Sequence, residues 1–191
     1  MKRIDIRGVI LPADYDTGWL DEYVERGCFC LENRVRAAIE KATPGEGIEL
    51  YINSRGGSVF AGNEIIAALT GYHLRGGKIN VIVGALAASQ AAAIALAMQP
   101  IAEKIAVHKN TKIMFHGASC YIEGGSQALE DESKLLSDLN NDMIKALVKL
   151  APEIEDEIKS WFDEGREGWI NADRAIEIGL ATEIISTNDT A

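Results

Sequence analysis

Gly84-Ala85-Leu86-Ala87-Ala88-Ser89-Gln90-Ala91-Ala92-Ala93-Ile94-Ala95-Leu96-Ala97-Met98 is the stretch around which the rest of the chain is read. Just before it, Ile79-Asn80-Val81-Ile82-Val83 is a short β-branched run with the pattern of a buried strand. After Ser89 nearly every residue to Met98 is small and apolar, as in a helix buried on all sides. The hydroxyl of Ser89 therefore stands where a strand hands over to a helix. Backbone N–H groups are unsatisfied at such a place, and the helix dipole favours developing negative charge. Taken alone, Ser89 reads as a helix N-cap, a position serine fills well. A nucleophile, unlike a cap, needs a base and an oxyanion site.

The 191 residues suffice for one domain, expected over 1–186 with a short tail at 187–191, and 47% hydrophobic content is ordinary for a globular chain. The longest apolar candidate for a membrane span, Ile82 to Met98, is broken by Ser89 and Gln90. Met1-Lys2-Arg3-Ile4-Asp5 carries charge with no apolar core behind it, so no signal peptide is expected. A net charge of −10 with scattered Lys and Arg argues against nucleic acid as a partner. Cys28, Cys30 and Cys120 form neither an even disulfide set nor a zinc pattern. They read as reduced thiols in a cytoplasmic protein that binds no metal.

Ile4 to Leu11 alternates apolar and polar residues and predicts a first strand. Trp19 to Ala42 suits a helix in two pieces split near Gly27. Ile48 to Ile52 predicts a strand, followed by the loop Asn53-Ser54-Arg55-Gly56-Gly57-Ser58 and a helix from Val59 that begins its exit at Gly71. Strands are expected around Ile101–Val107 and Lys112–Phe115. A long helix follows over Ser126–Leu150, with Leu129, Leu135, Leu136, Leu139, Met143, Leu147 and Leu150 on one stripe. A helix after Pro152, a short one over Ala172–Ile178 capped by Asn171, and a last strand from Leu180 to Ile185 complete the chain. Strands and helices in this alternation imply an α/β domain with parallel pairing.

Two further features join Ser89. The paired glycines after Asn53-Ser54-Arg55 let backbone N–H groups turn inward and form an anion-binding concavity. The loop lacks the Gly-Lys-Ser/Thr ending of a phosphate-binding P-loop. His116 directly follows Lys112-Ile113-Met114-Phe115; His73 and His108 lie in polar loops. A serine hydroxyl is a poor nucleophile until an imidazole takes its proton, and the oxyanion that forms needs two N–H donors about 2.7–3.1 Å away. In a parallel sheet the ends of successive strands lie on one edge, so Ser89, Gly57 and His116 can converge there.

These stretches resemble the ClpP family of serine peptidases, within the broader crotonase-like fold. The resemblance rests on Leu50-Tyr51-Ile52-Asn53-Ser54-Arg55-Gly56-Gly57-Ser58, Gly84-Ala85-Leu86-Ala87-Ala88-Ser89, Ile113-Met114-Phe115-His116 and Asp173-Arg174-Ala175-Ile176-Glu177-Ile178-Gly179-Leu180, and covers nearly the whole chain. It implies a single-domain fold of stacked βαβ units with a protruding handle helix after Gly124-Gly125. It also implies a cofactor-free and metal-free serine endopeptidase working through an acyl-enzyme intermediate. Carried over, Ser89 is the nucleophile, His116 the general base, and Gly57 and Gln90 the oxyanion donors through their backbone N–H groups. Aligning on Trp169-Ile170-Asn171-Ala172 puts Glu167 in the place of the acid, with Asp163, Glu164 and Asp173 as alternatives. Tyr121 to Gln127 would be the edge strand on which an extended substrate adds. The family assembles as stacked homo-oligomeric rings acting on protein or peptide substrates, and an ATP-driven (AAA+) unfoldase is a partner the resemblance allows without requiring.

Arg55, Gln90 and Glu167 stand where the housekeeping enzyme has Pro, Met and Asp, and the link from Thr70 to Asn80 is slightly longer. In these departures the chain is similar to ClpP-like proteases of phage and prophage genomes, associated with capsid or scaffold processing. Other readings stay open. One is a Ser-Lys peptidase resembling signal peptide peptidase A, with Lys104, Lys109 and Lys112 as bases near in sequence. The others are a crotonase-like binder of acyl-CoA thioesters and an inactive ring subunit.

Overall fold

Alternation of apolar and polar residues from Lys2 onward buries Ile4, Ile6 and Ile10 along the first strand, β1 (Lys2–Leu11). The computed structural model describes residues 1–16, 18–163 and 165–185, so the expected tail at 187–191 and the candidate acid Glu164 lie outside it. A 3-10 turn (Ala13–Tyr15) and a short helix, α1 (Asp21–Glu25), lead to β2 (Phe29–Leu31) and α2 (Glu32–Glu40). β3 (Ile48–Gly57), α3 (Val59–Leu74), β4 (Ile79–Ala88), α4 (Gln90–Met98), β5 (Lys104–His108) and β6 (Lys112–Phe115) follow. Then come α5 (Ser126–Leu150), a 3-10 turn (Pro152–Ile154), α6 (Glu155–Asp163), β7 (Gly168–Asn171), α7 (Ala172–Glu177) and β8 (Glu183–Ile185). They gather into two compact units, Met1–Met114 with the chain from Ile170 onward, and Phe115–Trp169.

The first unit is a parallel sheet in the order β2-β1-β3-β4-β5-β8, the α/β architecture expected from the alternation. Ile48, Leu50, Ile52, Val81 and Val83 alternate along its central strands and are all fully buried, so they form one apolar face of the sheet. β4 is long enough to serve two partners in succession. Asn80 to Val83 pairs with β5, and Leu86 to Ala88 pairs with β6. Where it changes partner, buried Thr111 donates its hydroxyl to the Gly84 carbonyl (2.6 Å) and accepts the His108 N–H (2.9 Å).

Several expectations need correction. The stretch from Trp19 is not one broken helix: Phe29–Leu31 pairs with Val9–Leu11 as an edge strand between two helices. The glycine segment 53–57 is not a loop but the end of β3, which pairs with β1 through Val9↔Gly56 and Ile10↔Gly57 after a bulge. The strand before Ser89 runs on to Ala88, because Leu86–Ala88 finds β6 beside it. Gly71 does not end its helix, which continues to Leu74. The last strand is shorter than expected, Glu183–Ile185. Asn171 does cap α7, its Oδ1 accepting the Arg174 N–H at 2.8 Å.

In the second unit, Phe115 stacks on Trp161 with ring centroids 6.3 Å apart, and a Cβ on Gly168 would overlap that indole. Of the apolar stripe on α5 only Leu147 is buried; Leu129 (46%) and Leu135 (36%) stand exposed. The expected substrate strand at 121–127 is not formed. Residues 121–125 have no regular structure, and Ser126 and Gln127 begin α5. Among the described residues no helix is long and apolar enough to cross a membrane.

Buried Ser54 fastens the first bulge. Its Oγ donates to the Gly8 carbonyl (2.5 Å) and accepts the Gly56 N–H (3.0 Å). Ser54→Ala leaves both groups without this partner, so urea unfolding should show a loss of about 1–3 kcal/mol.

Candidate active site

β4 ends at Ala88 and α4 begins at Gln90, so one residue makes the reversal. That residue, Ser89, has φ 54° and ψ −126°, the one positive φ among the described non-glycine residues. Such backbone costs on the order of 1–3 kcal/mol and persists only where its surroundings enforce it. Here the Ser89 N–H donates to the Met114 carbonyl of β6 (2.8 Å), and the Ser89 carbonyl accepts the Ala93 N–H (3.1 Å). An N-cap has extended backbone and accepts a helix N–H through its side chain; Ser89 does neither. The cap reading fails on geometry. A strained strand-to-helix turn is instead how α/β-hydrolases present a nucleophilic serine at the end of a strand.

The glycine pair closes on this turn. A Cβ on Gly56 would sit 2.6 Å from the Ala88 carbonyl oxygen, 2.8 Å from Ser89 Cβ and 2.9 Å from the Gln90 nitrogen. With φ +92° as well, the position admits only glycine. Gly57 lies against β1, where a Cβ would come within 2.7 Å of the Ile10 nitrogen. The Ile10 carbonyl accepts the Ser58 N–H (2.9 Å). With Ile10 opposite Gly57, parallel pairing turns the N–H of Gly57 away from β1, to the side of β3 on which β4 lies. A second bulge helps: Ile52 faces Val83 but Ser54 faces Ala87, and Asn53 Oδ1 accepts the Leu86 N–H (3.2 Å) across the slip. Ser89, Gln90 and the glycine pair are thus brought together within the first unit.

His116 belongs to the second unit, half-buried directly after Phe115. The backbone beyond it is held by Asn140 of α5, whose Oδ1 accepts the Ala118 N–H at 2.7 Å. Sequence reading missed Asn140, because its partner lies 22 residues earlier in the chain. A Cβ on Gly117 would lie 3.6 Å from the Phe162 carbonyl oxygen, so the end of α6 and Asp163 adjoin this segment. Glu167 is exposed, and its Oε2 accepts the Trp169 indole N–H (2.9 Å). Asp173 sits exposed in the first turn of α7, in the first unit.

The candidate lysines differ in their placement. Lys104 pairs in register with Asn80, at the far end of β4 from Ser89, and holds Glu183 at 2.9 Å. Lys109 and Lys112 are exposed. Among the described residues no cluster of His, Cys, Asp and Glu could hold a metal ion. The three cysteines are free thiols, and burial pushes Cys30 up to about 12. A cavity of about 600 Å³ opens between β1, β2 and α2, lined by Arg3, Arg7 and Arg34 among others. Its guanidinium groups are already paired with Asp5, Asp16 and Asp21, and it contains none of the candidate residues.

Comparison with known proteins gives a consistent picture. The ATP-dependent Clp protease proteolytic subunit of Bacteroides thetaiotaomicron is 25% identical over 147 residues, covering 77% of this chain and 64% of its own length. That of Porphyromonas gingivalis is 24% identical over 150 residues, covering 78% and 64%. Subunit 3 of Rhodococcus jostii is 24% identical over 192 residues, covering 95% and 82%. The chain thus spans slightly under two thirds of the length of the first two. The profile of the Clp protease family matches residues 35–188, most of the sequence and all of the Ser89 turn, so the chain belongs to the Clp protease family.

Proposed function

We propose that the protein is a serine endopeptidase with Ser89 as nucleophile. The observation that carries this reading is the strained Ser89 turn, with Gln90 behind it and Gly56-Gly57 against it. Ser89 Oγ attacks the peptide carbonyl carbon while His116 takes its proton. The oxyanion accepts the N–H groups of Gln90 and Gly57; those of Gly56 and Ser58 are already given to Ser54 and Ile10. The C–N bond breaks, His116 returns the proton to the leaving amine, and water hydrolyses the acyl-enzyme by the same steps. The support for His116 is its sequence context, Ile113-Met114-Phe115-His116, which is shared with the family pattern.

The resemblance around Trp169-Ile170-Asn171-Ala172 supports Glu167 as the acid. Asp163 competes for that role because the end of α6 adjoins the segment after His116. The exposed stripe of α5 supports assembly into homo-oligomeric rings, and the relatives' name, ATP-dependent Clp protease proteolytic subunit, supports an ATP-dependent partner and protein substrates. Arg55, Gln90 and Glu167 support a narrower likeness to phage-borne head-maturation proteases, and the free thiols support a cytoplasmic location.

A fluorophosphonate probe on the assembled protein should label Ser89, and Ser89→Ala should remove the label; an unlabelled assembly would refute the nucleophile. His116→Ala should lower kcat on a peptide substrate by about 10³-fold or more, whereas near-normal turnover would revive a lysine base. Among the acids, Glu167→Gln should cost about 10²- to 10⁴-fold in kcat and Asp163→Asn and Asp173→Asn little; a reversed order would move the role to Asp163 or Asp173.

A further inference from the structure

Gln90 is a polar side chain only 4% exposed, at the head of a helix whose other residues are apolar. Its place is built by the first two turns of α3. Gly62 provides the room: a Cβ there would lie 2.7 Å from Gln90 Cδ and overlap the rest of the amide arm. Gly62 has ordinary helical backbone and no call for a left-handed φ, so close approach alone demands glycine. Asn63, the next residue, accepts the Gln90 Nε2 hydrogen at 3.1 Å through its Oδ1.

The same turn of α3 grips the other side of the site. Ser58 is its N-cap, with Oγ accepting the Ala61 N–H (3.3 Å) and its carbonyl accepting the Gly62 N–H (3.0 Å). Gly57 is the residue just before that cap. One helical turn therefore holds Gly57 through the backbone and Gln90 through its side chain.

We infer that Asn63 is a positioning residue: with Gly62 it clamps the Gln90 side chain and so sets the spacing of the two oxyanion donors, the N–H groups of Gln90 and Gly57. This rests on the peptidase reading above. A donor displaced by a fraction of an ångström meets the oxyanion less well, while the ground-state substrate scarcely notices, so the clamp acts on kcat and not on KM.

The test uses the full-length assembled protein, the fluorophosphonate probe and a fluorogenic peptide that it cleaves. Asn63 is exposed on its helix, so Asn63→Ala is compatible with folding. It should lower kcat by about 10-fold, short of the 10²–10³ that loss of a whole donor costs, with KM within about twofold. Asn63→Asp keeps an oxygen acceptor and should restore most of kcat. An unchanged kcat in Asn63→Ala, while Ser89 of the unmodified protein is labelled, overturns the clamp and leaves the peptidase reading intact. Equal losses in the Ala and Asp variants overturn it too, because the acceptor is then irrelevant. Absence of labelling in the unmodified protein overturns the peptidase reading and the clamp with it.

Discussion

A strand and a helix meet at Ser89 with one residue between them, and the local backbone depends on that constraint. Ser89 adopts a conformation that an L-residue avoids, held there by its N–H on Met114 and its carbonyl on Ala93. Gly56 is glycine because its Cα approaches this turn so closely that a Cβ would strike Ala88, Ser89 and Gln90 at once. Ala91, Ala92 and Ala95 are fully buried just behind, and their small side chains let α4 start against the sheet without displacing the turn.

Two bulges and one change of partner bring the surrounding groups to this point. β1 and β3 slip register between Arg7 and Val9, and Ser54 fastens that slip to Gly8 and Gly56. β3 and β4 slip between Ile52 and Ser54, and Asn53 closes the gap to Leu86. β4 then leaves β5 for β6 at Gly84, where Thr111 is buried. Bulges add twist, so strands that lie in ordinary register at Ile48 and Ile79 have left it by the time they reach the site. Of the buried polar side chains among the described residues, Ser54, Thr111 and Gln90 lie toward this end of the sheet.

The arrangement suits the proposed acyl transfer. Donors for an oxyanion must be in place before the charge appears, because reorganising them during the reaction would forfeit most of their effect. Backbone N–H groups at the end of a strand and the start of a buried helix meet that demand, since neither can move without unpacking the core. The proposed clamp at Asn63 extends the same logic to a side chain.

Sequence alone determined the α/β alternation, the position of most helices and the place of Ser89 between a strand and a helix, because apolar periodicity and small-residue runs are local signals. The long helix over Ser126–Leu150 was legible to the residue, as was the Asn171 cap. The edge strand at Phe29–Leu31 was not, because three residues carry too little periodicity to separate a strand from the helices on either side. Nor was the strand character of Ser54–Gly57, which arises from pairing with β1 from more than forty residues earlier in the chain. Whether Ser89 capped a helix or strained a turn was a question of φ and ψ, and only the packing of β6 and Gly56 against it decided that. Asn63 and Asn140 were invisible in the same way. Their meaning lies in partners brought near by the fold, and single-sequence reading sees a polar residue on a helix and nothing more.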